Sequence, residues 1–424
     1  RVIEDVRGWH AGDGDWRRTR SRIEERYGYH RYRGVCHVVP NHALIILGLL
    51  YGEGDFDRSL MVVNTAGWDT DCNSGNLGCL LGIRNGLSGI GDRWRRPVAD
   101  RMYLASADGG RAITDAATEA VHIVNAAGHT WRPPRFHFTF PGSVQGFDGG
   151  HVDGALAVDG IATTPTFIPR EAFGMVGYEL QASPTLYPGQ TVRAEVEGAP
   201  ARLVIRVYDE HDELVTVRGP GLEWRIPDTG GQPIAEVGVE TDGPARLRSL
   251  DWDGAPDVTL ARAPGSMWRR AWVEGVDRWG DWWPEAYRLI QDRGTGLLIQ
   301  GTREWTDYEV RAAIVPETIA AAGLAARVQG MRRYYALLLR ADRAQLVREL
   351  DGTQVLTEAP FERRDYAEPH ELTLCVVGDH IVATIDGLTL EARDGALAGG
   401  AVALVCEQGC LTCEAVRVQP AGRC

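Results

Sequence analysis

The sequence predicts a multidomain protein of the α plus β class, in which an all-helical segment precedes two β-sandwich (jelly-roll) domains. Apolar residues recur at helical spacing up to Trp131, and after Trp131–Pro134 the pattern changes to short strands separated by turn residues. A chain of 424 residues is also too long for one ordinary hydrophobic core. We therefore expect three domains, over residues 1–131, 132–262 and 263–424.

The composition argues against two classes of partner. A formal net charge of −13 disfavours the nucleic-acid backbone and an anionic membrane surface, since both repel an acidic protein. No apolar run approaches the length of a membrane span, so we expect no nucleic-acid and no membrane partner. The sequence begins at Arg1 without an initiator Met or a signal peptide. We expect an amino-terminally incomplete chain and leave its compartment, cytoplasmic or secreted, unassigned.

The first 131 residues contain a succession of helical patterns. Charged residues from Arg17 to Glu25 are typical of the solvent face of a helix. Pro40 followed by Asn41 is typical of a helix start, with Asn41 as its cap. Helices are predicted over residues 41–52, 56–65, 72–86, 96–105 and 111–126.

The stretch Gly67–Asn73 (GWDTDCN) places two carboxylates two residues apart, where a polar turn becomes an apolar helix. At that position Asp69 and Asp71 could cap free N–H groups at the positive end of the helix. Two fixed carboxylates also form an oxygen-rich cradle for a hard cation such as Mg²⁺ or Ca²⁺. Small residues such as Gly78 and Gly82 predict that the helix packs closely against a neighbour.

The segments before this stretch strengthen the metal interpretation. An apolar helix over His37–Gly52 is followed by the acidic turn Glu53–Asp57 and a further helix that leads to Asn64. This order resembles the carboxyl-terminal part of the ADP-ribosylglycohydrolase family, whose helical domain ends with a Gly-x-Asp-Thr-Asp-Thr motif at the start of a helix rich in small residues. The resemblance covers roughly residues 9–105.

The resemblance implies a metal site and a reaction. The family's motif binds a pair of divalent cations, normally Mg²⁺ with Ca²⁺ or Mn²⁺ as alternatives, and the matching positions here are Asp69, Asp71 and Cys72. Cys72 departs from the family, because a thiol is a poor ligand for Mg²⁺. The implied reaction is hydrolysis of the glycosidic bond at C1″ of ADP-ribose, in a small molecule or an ADP-ribosylated substrate. Four further residues are expected to orient the ligands or to line the pocket: Thr70, Asn73, Asn41 and His42.

Part of the family's site has no counterpart in this sequence. The other metal ligands and the acidic catalytic residue come from the amino-terminal half of the family's helical domain, in a Gly-Asp-Ala-like and a Thr-Asp-Asp-like stretch. Residues 1–131 contain neither, so we assign no catalytic residue and expect it upstream of Arg1. The complete protein is then expected to be a hydrolase, and this sequence alone to be inactive or nearly so.

Residues 132–262 show short strands with turn residues between them, which is typical of a β-sandwich. The region is similar to galactose-binding-like jelly rolls, and a spacer sandwich without a ligand is the alternative. Strands are predicted over residues 176–181, 191–197, 202–208, 213–217, 234–240 and 245–251.

Residues 263–424 predict a second sandwich, in which Asp351-Gly352 and Asp386-Gly387 form hairpin turns. Their strand order resembles the concanavalin A-like lectin and glucanase sandwich of the laminin-G kind. The Glu-x-Asp-x-x-Glu strand of its hydrolytic members is missing, which favours a binding or structural module. The aromatic residues of this region either stack on sugar rings or pack in the core. Strands are predicted over residues 296–300, 307–315, 322–329, 334–340, 344–350, 371–377, 380–385 and 401–405.

The eight Cys residues favour structural thiols over a zinc site. Cys36, Cys72 and Cys79 lie on or beside apolar helices and are expected to be buried free thiols. Cys406, Cys410 and Cys413 have no His at ligand spacing, so free thiols or a disulfide are favoured.

Two other functions remain open from the sequence. The chain could be a non-catalytic carbohydrate-binding protein, since its two sandwiches fill more than half of it. It could also be a hydrolase of the same helical fold that acts on a nucleoside or on a glycan-linked substrate, because fold resemblance does not select the substrate.

Overall fold

The computed structural model describes residues 1–104, 106–172, 181–280, 286–366 and 368–422. The chain divides into two compact units, Arg1–Val98 and Ala99–Cys424. Helices build the first unit and strands dominate the second, which confirms the fold class predicted from the sequence. The domain boundaries after residues 131 and 262 stay predictions.

The first unit is all-helical. A short 3₁₀ turn, Leu87–Gly89, precedes its last helix. Its helices are α1 Val2–Gly12, α2 Trp16–Tyr27, α3 Val38–Gly52, α4 Phe56–Thr65, α5 Thr70–Asn85 and α6 Asp92–Val98.

The start of α3 differs from the prediction. The helix begins at Val38, and Nδ1 of His37 caps it by accepting the backbone N–H of Val39 at 3.2 Å. Pro40 then lies in the first turn, where its missing N–H has no intrahelical partner to lose. Asn41, predicted as the cap, is therefore inside the helix, and its side chain is free for other contacts.

Helix α3 is the centre of the unit and packs against α1, α2, α4 and α5. Its close contacts depend on its own glycines. A Cβ at Gly52 would lie 1.8 Å from Oγ of Ser59, and one at Gly48 would lie 2.7 Å from Leu77. At Gly78 and Gly82 of α5 the nearest atoms are 3.8 and 3.7 Å away. The prediction that the small residues of α5 allow close packing is thus wrong. The glycines that allow it lie on α3.

Two further predicted helix bounds are wrong, one at the end of the first unit and one at the start of the second. The helix predicted over 96–105 ends at Val98, because Ala99 and Asp100 adopt left-handed φ values of 48° and 63°. The carboxylate of Asp100 accepts three hydrogen bonds from residues 143–145, which holds this turn. The helix predicted over 111–126 starts only at residue 116.

The second unit begins with a small hairpin and a helix. Strand β1 (Arg101–Tyr103) pairs antiparallel with β2 (Ile113–Asp115), and α7 (Ala116–Ala126) follows directly. Asp115 caps α7 by accepting the backbone N–H groups of Ala117 and Thr118 at 2.9 Å.

The first sandwich consists of a four-stranded sheet, β5-β10-β7-β8, and a five-stranded sheet, β3-β4-β11-β6-β9. Its core contains Phe138, Phe147 and Leu250 among other buried side chains. The predicted strand 176–181 lies, except for residue 181, outside the described residues. The strands are β3 Gly150–Val152, β4 Ala155–Val158, β5 Ile161–Pro165, β6 Thr191–Gly198, β7 Ala201–Tyr208, β8 Leu214–Arg218, β9 Glu223–Arg225, β10 Ile234–Thr241 and β11 Ala245–Asp253.

The second sandwich is organised around one 20-residue strand, β24. Its first half pairs with β17 and β15, and its second half pairs with β16 on one side and with β15 and β12 on the other. A short helix, α8 (Met267–Arg270), precedes most of these strands. They are β12 Val258–Ala261, β13 Val273–Gly275, β14 Arg278–Gly280, β15 Tyr287–Gln300, β16 Tyr308–Glu317, β17 Ala321–Val328, β18 Arg333–Leu339, β19 Arg343–Leu350, β20 Thr353–Pro360, β21 His370–Val377, β22 His380–Ile385, β23 Leu388–Arg393 and β24 Ala401–Pro420.

Both predicted hairpin turns are present. Asp351-Gly352 joins β19 to β20, Asp386-Gly387 joins β22 to β23, and all four residues have positive φ. The returning strands β20 and β23 were missed from the sequence, because their side chains are largely exposed or half-buried and show no strong apolar alternation.

The aromatic residues of the second sandwich mostly belong to its core. Trp268, Trp272 and Trp279 are buried and surround the ring of Tyr287. Core packing is therefore the correct interpretation for these residues. Trp282 and Trp283 lie outside the described residues.

The thiols divide differently from the prediction. Cys36, Cys72 and Cys79 are free and exposed. Cys72 and Cys79 face outward because α5 buries Asn73, Leu77 and Leu81 instead. Cys406 and Cys413 are free and buried, and Cys410 is free and half-buried. None of the described helices is long and apolar enough to span a membrane.

Candidate functional site

The candidate site lies where α4 leads into α5, and an aromatic arrangement holds this loop in place. Gly67 and Trp68 both adopt left-handed φ, 84° and 61°. The guanidinium of Arg20 lies 4.0 Å from the centre of the Trp68 ring, and the Tyr29 ring lies 5.2 Å from it. Arg20 also donates from Nε to the carbonyl oxygen of Ala66 at 2.7 Å. Residues of α2 and of the segment after it therefore fix the loop that carries the carboxylates.

Three potential ligand atoms meet at the start of α5. A carboxylate oxygen of Asp69, one of Asp71 and Sγ of Cys72 all lie within 4.8 Å of one another. Asp69 is half-buried, and the other two are exposed. Asp69 occupies the cap position, but its side chain accepts no capping hydrogen bond. The capping interpretation therefore does not account for the Asp69 carboxylate.

Asn41 connects this group to α3. Its Oδ1 accepts the backbone N–H of Asp69 at 3.3 Å and Nδ2–H of Asn73 at 2.9 Å. Its Nδ2 donates to the Tyr29 hydroxyl at 2.7 Å and to the His37 carbonyl oxygen at 3.0 Å. The amide of Asn41 is thus fully used in holding the start of α5, and it positions Asp69 from behind.

The remaining predicted residues contribute less. Asn73 is buried and donates a hydrogen bond to Asn41. The backbone carbonyl oxygen of Thr70 accepts Oγ–H of Ser74 at 2.6 Å, and the Thr70 side chain is half-buried. His42 is half-buried on α3 and, within the described part of the chain, forms no hydrogen bond to the group at α5.

The electrostatics of the group centre on Asp69. Its hydrogen bond to Asp71 lowers the pKa of Asp71, and backbone hydrogen bonds at Asp71 and Cys72 lower it further. Hydrogen bonding to the Asp69 carboxyl raises the pKa of Cys72 and also that of Cys36. Both thiols therefore keep their protons more firmly than a free cysteine does.

The position of Cys36 beside Asp69 was missed from the sequence. It lies in the loop before α3, 33 positions before Asp69 in the printed sequence, and no local motif indicates the contact. Tyr29 was missed for the same reason, because only folding brings the segment after α2 to the loop at Trp68.

Comparison with family models matches residues 1–127 to the ADP-ribosylglycohydrolase model. The match includes α3, α4 and α5 and therefore the Asp69–Cys72 group. A comparison with curated proteins returned no match.

Among solved structures, the chain is similar to the carbohydrate binding module CBM66 from Bacillus subtilis, with 17% identity over 35% of this chain and 94% of that one, at a TM-score of 0.32. Alginate lyase A1-II', of polysaccharide lyase family 7, shows 7% identity over 35% of this chain and 85% of that one, at a TM-score of 0.27. Galectin LEC-6 from Caenorhabditis elegans shows 10% identity over 31% of this chain and 95% of that one, at a TM-score of 0.24. Similarities at this level carry no information about what this chain binds.

The residues matched by the family model include the loop between α4 and α5 and the Asp69–Asp71 pair. Residues 1–127 are therefore similar to the ADP-ribosylglycohydrolase family.

Proposed function

We propose that this protein is a metal-dependent hydrolase that cleaves a ribosyl glycosidic bond, with Asp69 and Asp71 as ligands of a divalent cation. One observation carries the proposal. The Asp69 carboxylate stands at a helix start without a capping bond, and it lies within 4.8 Å of ligand atoms of Asp71 and Cys72. A bound cation would offset the repulsion between the two carboxylates.

The residues present fit a cation that accepts carboxylate oxygen. Asp69 and Asp71 suit Mg²⁺, Ca²⁺ or Mn²⁺. Cys72 stands where the family has Thr, and its thiol suits a softer ion better than Mg²⁺. We therefore expect Mn²⁺ to bind at least as well as Mg²⁺.

When bound, such a cation polarises oxygen atoms of substrate or water in a glycosidic hydrolysis. The residues of the chain contribute positioning and charge. Asn41 holds the backbone of Asp69, and Asn73 braces Asn41 from α5. Asp71, whose pKa is lowered, stays ionised and ready to act as a ligand at neutral pH. These roles fit residues that hold and orient, and none of them is a general acid.

Metal binding to the full chain is the first test. Titration with Mn²⁺, followed by electron paramagnetic resonance, should show a site that Asp69→Asn and Asp71→Asn each weaken strongly. Asp92→Asn is the matched control, since Asp92 is an exposed acid in the first turn of α6. Equal Mn²⁺ binding by wild type and both site variants would contradict the metal assignment.

The reaction is tested on the purified protein. Release of ADP-ribose from an ADP-ribosylated peptide should require the divalent cation and should be lost in Asp69→Asn. A parallel panel of nucleosides and of glycan-linked ribosides decides between the ADP-ribosyl substrate and the related N- or O-glycosides. Release at the wild-type rate by Asp69→Asn would overturn the proposed role of the carboxylate.

A further inference from the structure

A second site lies in the second unit. A cavity of about 210 Å³ is lined by the hairpin β1–β2, the start of α7, strand β5, strand β11 and the loop after β15. It shares five lining residues with a broader groove of about 630 Å³, so the two spaces adjoin. The shared residues are Thr118, His122, Arg135, Arg303 and Glu304.

The inner cavity is rich in guanidinium groups. Four arginines and two carboxylates line it, and each of the arginines is paired with a carboxylate. The carboxylates that pair with Arg101, Arg111 and Arg303 do not belong to the lining. The four arginines are Arg101, Arg111, Arg135 and Arg303, and the two carboxylates are Asp115 and Glu304.

Two of these arginines keep an unused donor. Nε of Arg111 and Nε of Arg135 are buried and, among the described residues, have no hydrogen-bond partner, although Nε of Arg135 lies 3.9 Å from a carboxylate oxygen of Asp251. Arg135 is nevertheless held firmly, because it pairs with Glu304 at 2.5 Å and lies 4.0 Å from the centre of the Trp252 ring. A buried donor without an acceptor is unfavourable, and an oxyanion in the cavity would supply the acceptor.

The outer groove offers an aromatic surface. Trp131 is 40% exposed, although it is anchored on several sides. The side-chain amide of Asn125 accepts the backbone N–H of Trp131 at 2.9 Å and donates to its carbonyl oxygen at 2.7 Å. The rings of His137 and Phe140 contact Trp131 edge to face at 5.3 and 5.7 Å. An exposed aromatic ring held in one position is suited to contact the apolar face of a sugar.

We propose that the cavity and the groove together bind an acidic saccharide. The carboxylate of a terminal uronic acid enters the arginine-lined cavity, and the adjoining sugar lies against Trp131. The planar guanidinium matches a carboxylate through paired hydrogen bonds. A cavity of about 210 Å³ is smaller than the roughly 300–1,000 Å³ typical of pockets for drug-sized ligands, which suits one ring. A singly charged group suits a wall that itself contains Asp115 and Glu304.

This site shares no residue with the Asp69–Cys72 group, so the two proposals stand or fall separately. Isothermal titration of the full chain with uronic-acid disaccharides is the test, using galacturonic, glucuronic and mannuronic forms. The matching neutral disaccharides and a sugar phosphate serve as comparisons. At least one acidic disaccharide should bind, and its neutral counterpart should bind about tenfold more weakly or not at all, the scale expected for loss of one charged contact.

The variants separate the two parts of the site. Arg111→Gln should weaken binding of the acidic disaccharide about tenfold. Arg206→Gln should leave it unchanged; Arg206, like Arg111, is 33% exposed and pairs with one carboxylate. Trp131→Ala, a substitution at an exposed position, should weaken binding of the disaccharide but leave binding of the single uronic acid unchanged.

Four outcomes would overturn the proposal. They are binding of no acidic disaccharide, equal binding of neutral disaccharides, preference for the sugar phosphate, and unchanged disaccharide affinity in Trp131→Ala. The last remains decisive if Arg111→Gln does not fold.

Discussion

Oδ1 of Asn41, buried on α3, accepts the backbone N–H of Asp69 at the start of α5, 3.3 Å away. One side-chain amide thus joins the central helix of the first unit to the loop that carries the candidate ligands. The same oxygen also accepts Nδ2–H of Asn73. The geometry of the carboxylates therefore depends on a residue 28 positions earlier in the chain.

Replacing Asn41 by Ala should destabilise the first unit and weaken metal binding together. The substitution removes four hydrogen bonds of a buried amide, and at about 0.5–1.5 kcal/mol each the free energy of unfolding should fall by roughly 2–6 kcal/mol. Urea unfolding followed by the far-UV helical signal measures the loss. His42→Ala is the matched neighbour, and we expect it to change stability by less than about 0.5 kcal/mol. Equal effects of the two substitutions would contradict the role given to Asn41.

Thiol labelling should detect the metal without any assay of activity. Cys72 and Cys79 both lie exposed on α5, but only Cys72 is part of the candidate group. Mn²⁺ should therefore slow the alkylation of Cys72 and leave that of Cys79 unchanged, as followed by peptide mass spectrometry. In Asp71→Asn this protection should disappear. Protection of both thiols would indicate a general effect of the ion instead of a site.

The buried thiols of the second sandwich should not react in the folded protein. Burial raises the pKa of Cys406 and of Cys413 to about 12, so their reactive thiolate form is scarce at neutral pH. Alkylation at these positions should require denaturant, whereas the exposed Cys79 should react without it. Rapid native-state labelling of Cys406 would contradict the buried position of β24.

Glu240 should give the first sandwich a stability that is lost in acid. Hydrogen bonds from Arg218 and Arg202 lower the pKa of Glu240 from 4.5 to about 2. Because the folded-state pKa is lower than the unfolded one, the contribution is complete above about pH 5 and disappears as the pH falls through about 2. The difference in melting temperature between wild type and Glu240→Gln should shrink over that window. Glu195→Gln, at an exposed glutamate on β6 that forms no ion pair among the described residues, should show no such trend.

Gly52 should tolerate no side chain. A Cβ there would lie 1.8 Å from Oγ of Ser59 and 2.7 Å from its Cα, so α3 and α4 would have to separate. We expect Gly52→Ala to destabilise the first unit by about 1–3 kcal/mol, the usual range for overpacking. Gly8→Ala, inside α1 with nothing within 4 Å of the new Cβ, should instead stabilise it by about 0.5–1 kcal/mol. Urea unfolding of both variants makes the comparison.

Helices and strands could be predicted from the sequence where burial of one face gives the apolar residues a regular spacing. Helix α4 coincides with its predicted range, and β21 and β22 follow theirs within one residue. The helix predicted over 96–105 failed because its end depends on the left-handed φ of Ala99 and Asp100. Asp100 in turn is held by residues 143–145, and no pattern within 96–105 contains that information.

In the candidate site, too, some features follow from local sequence and others depend on residues far apart in the chain. Asp69, Asp71 and Cys72 are near neighbours in sequence at a helix start, so their proximity follows from local geometry, and the sequence by itself determined it. Only the tertiary structure decided that Asn41 braces Asp69, that Cys36 lies beside it, and that arginines from position 101 to position 303 line one cavity. The physical reason is that the two kinds of interaction act over different separations along the chain. Helical spacing and capping act within a few residues, whereas side chains far apart in the chain meet only when the hydrophobic cores bring their elements together.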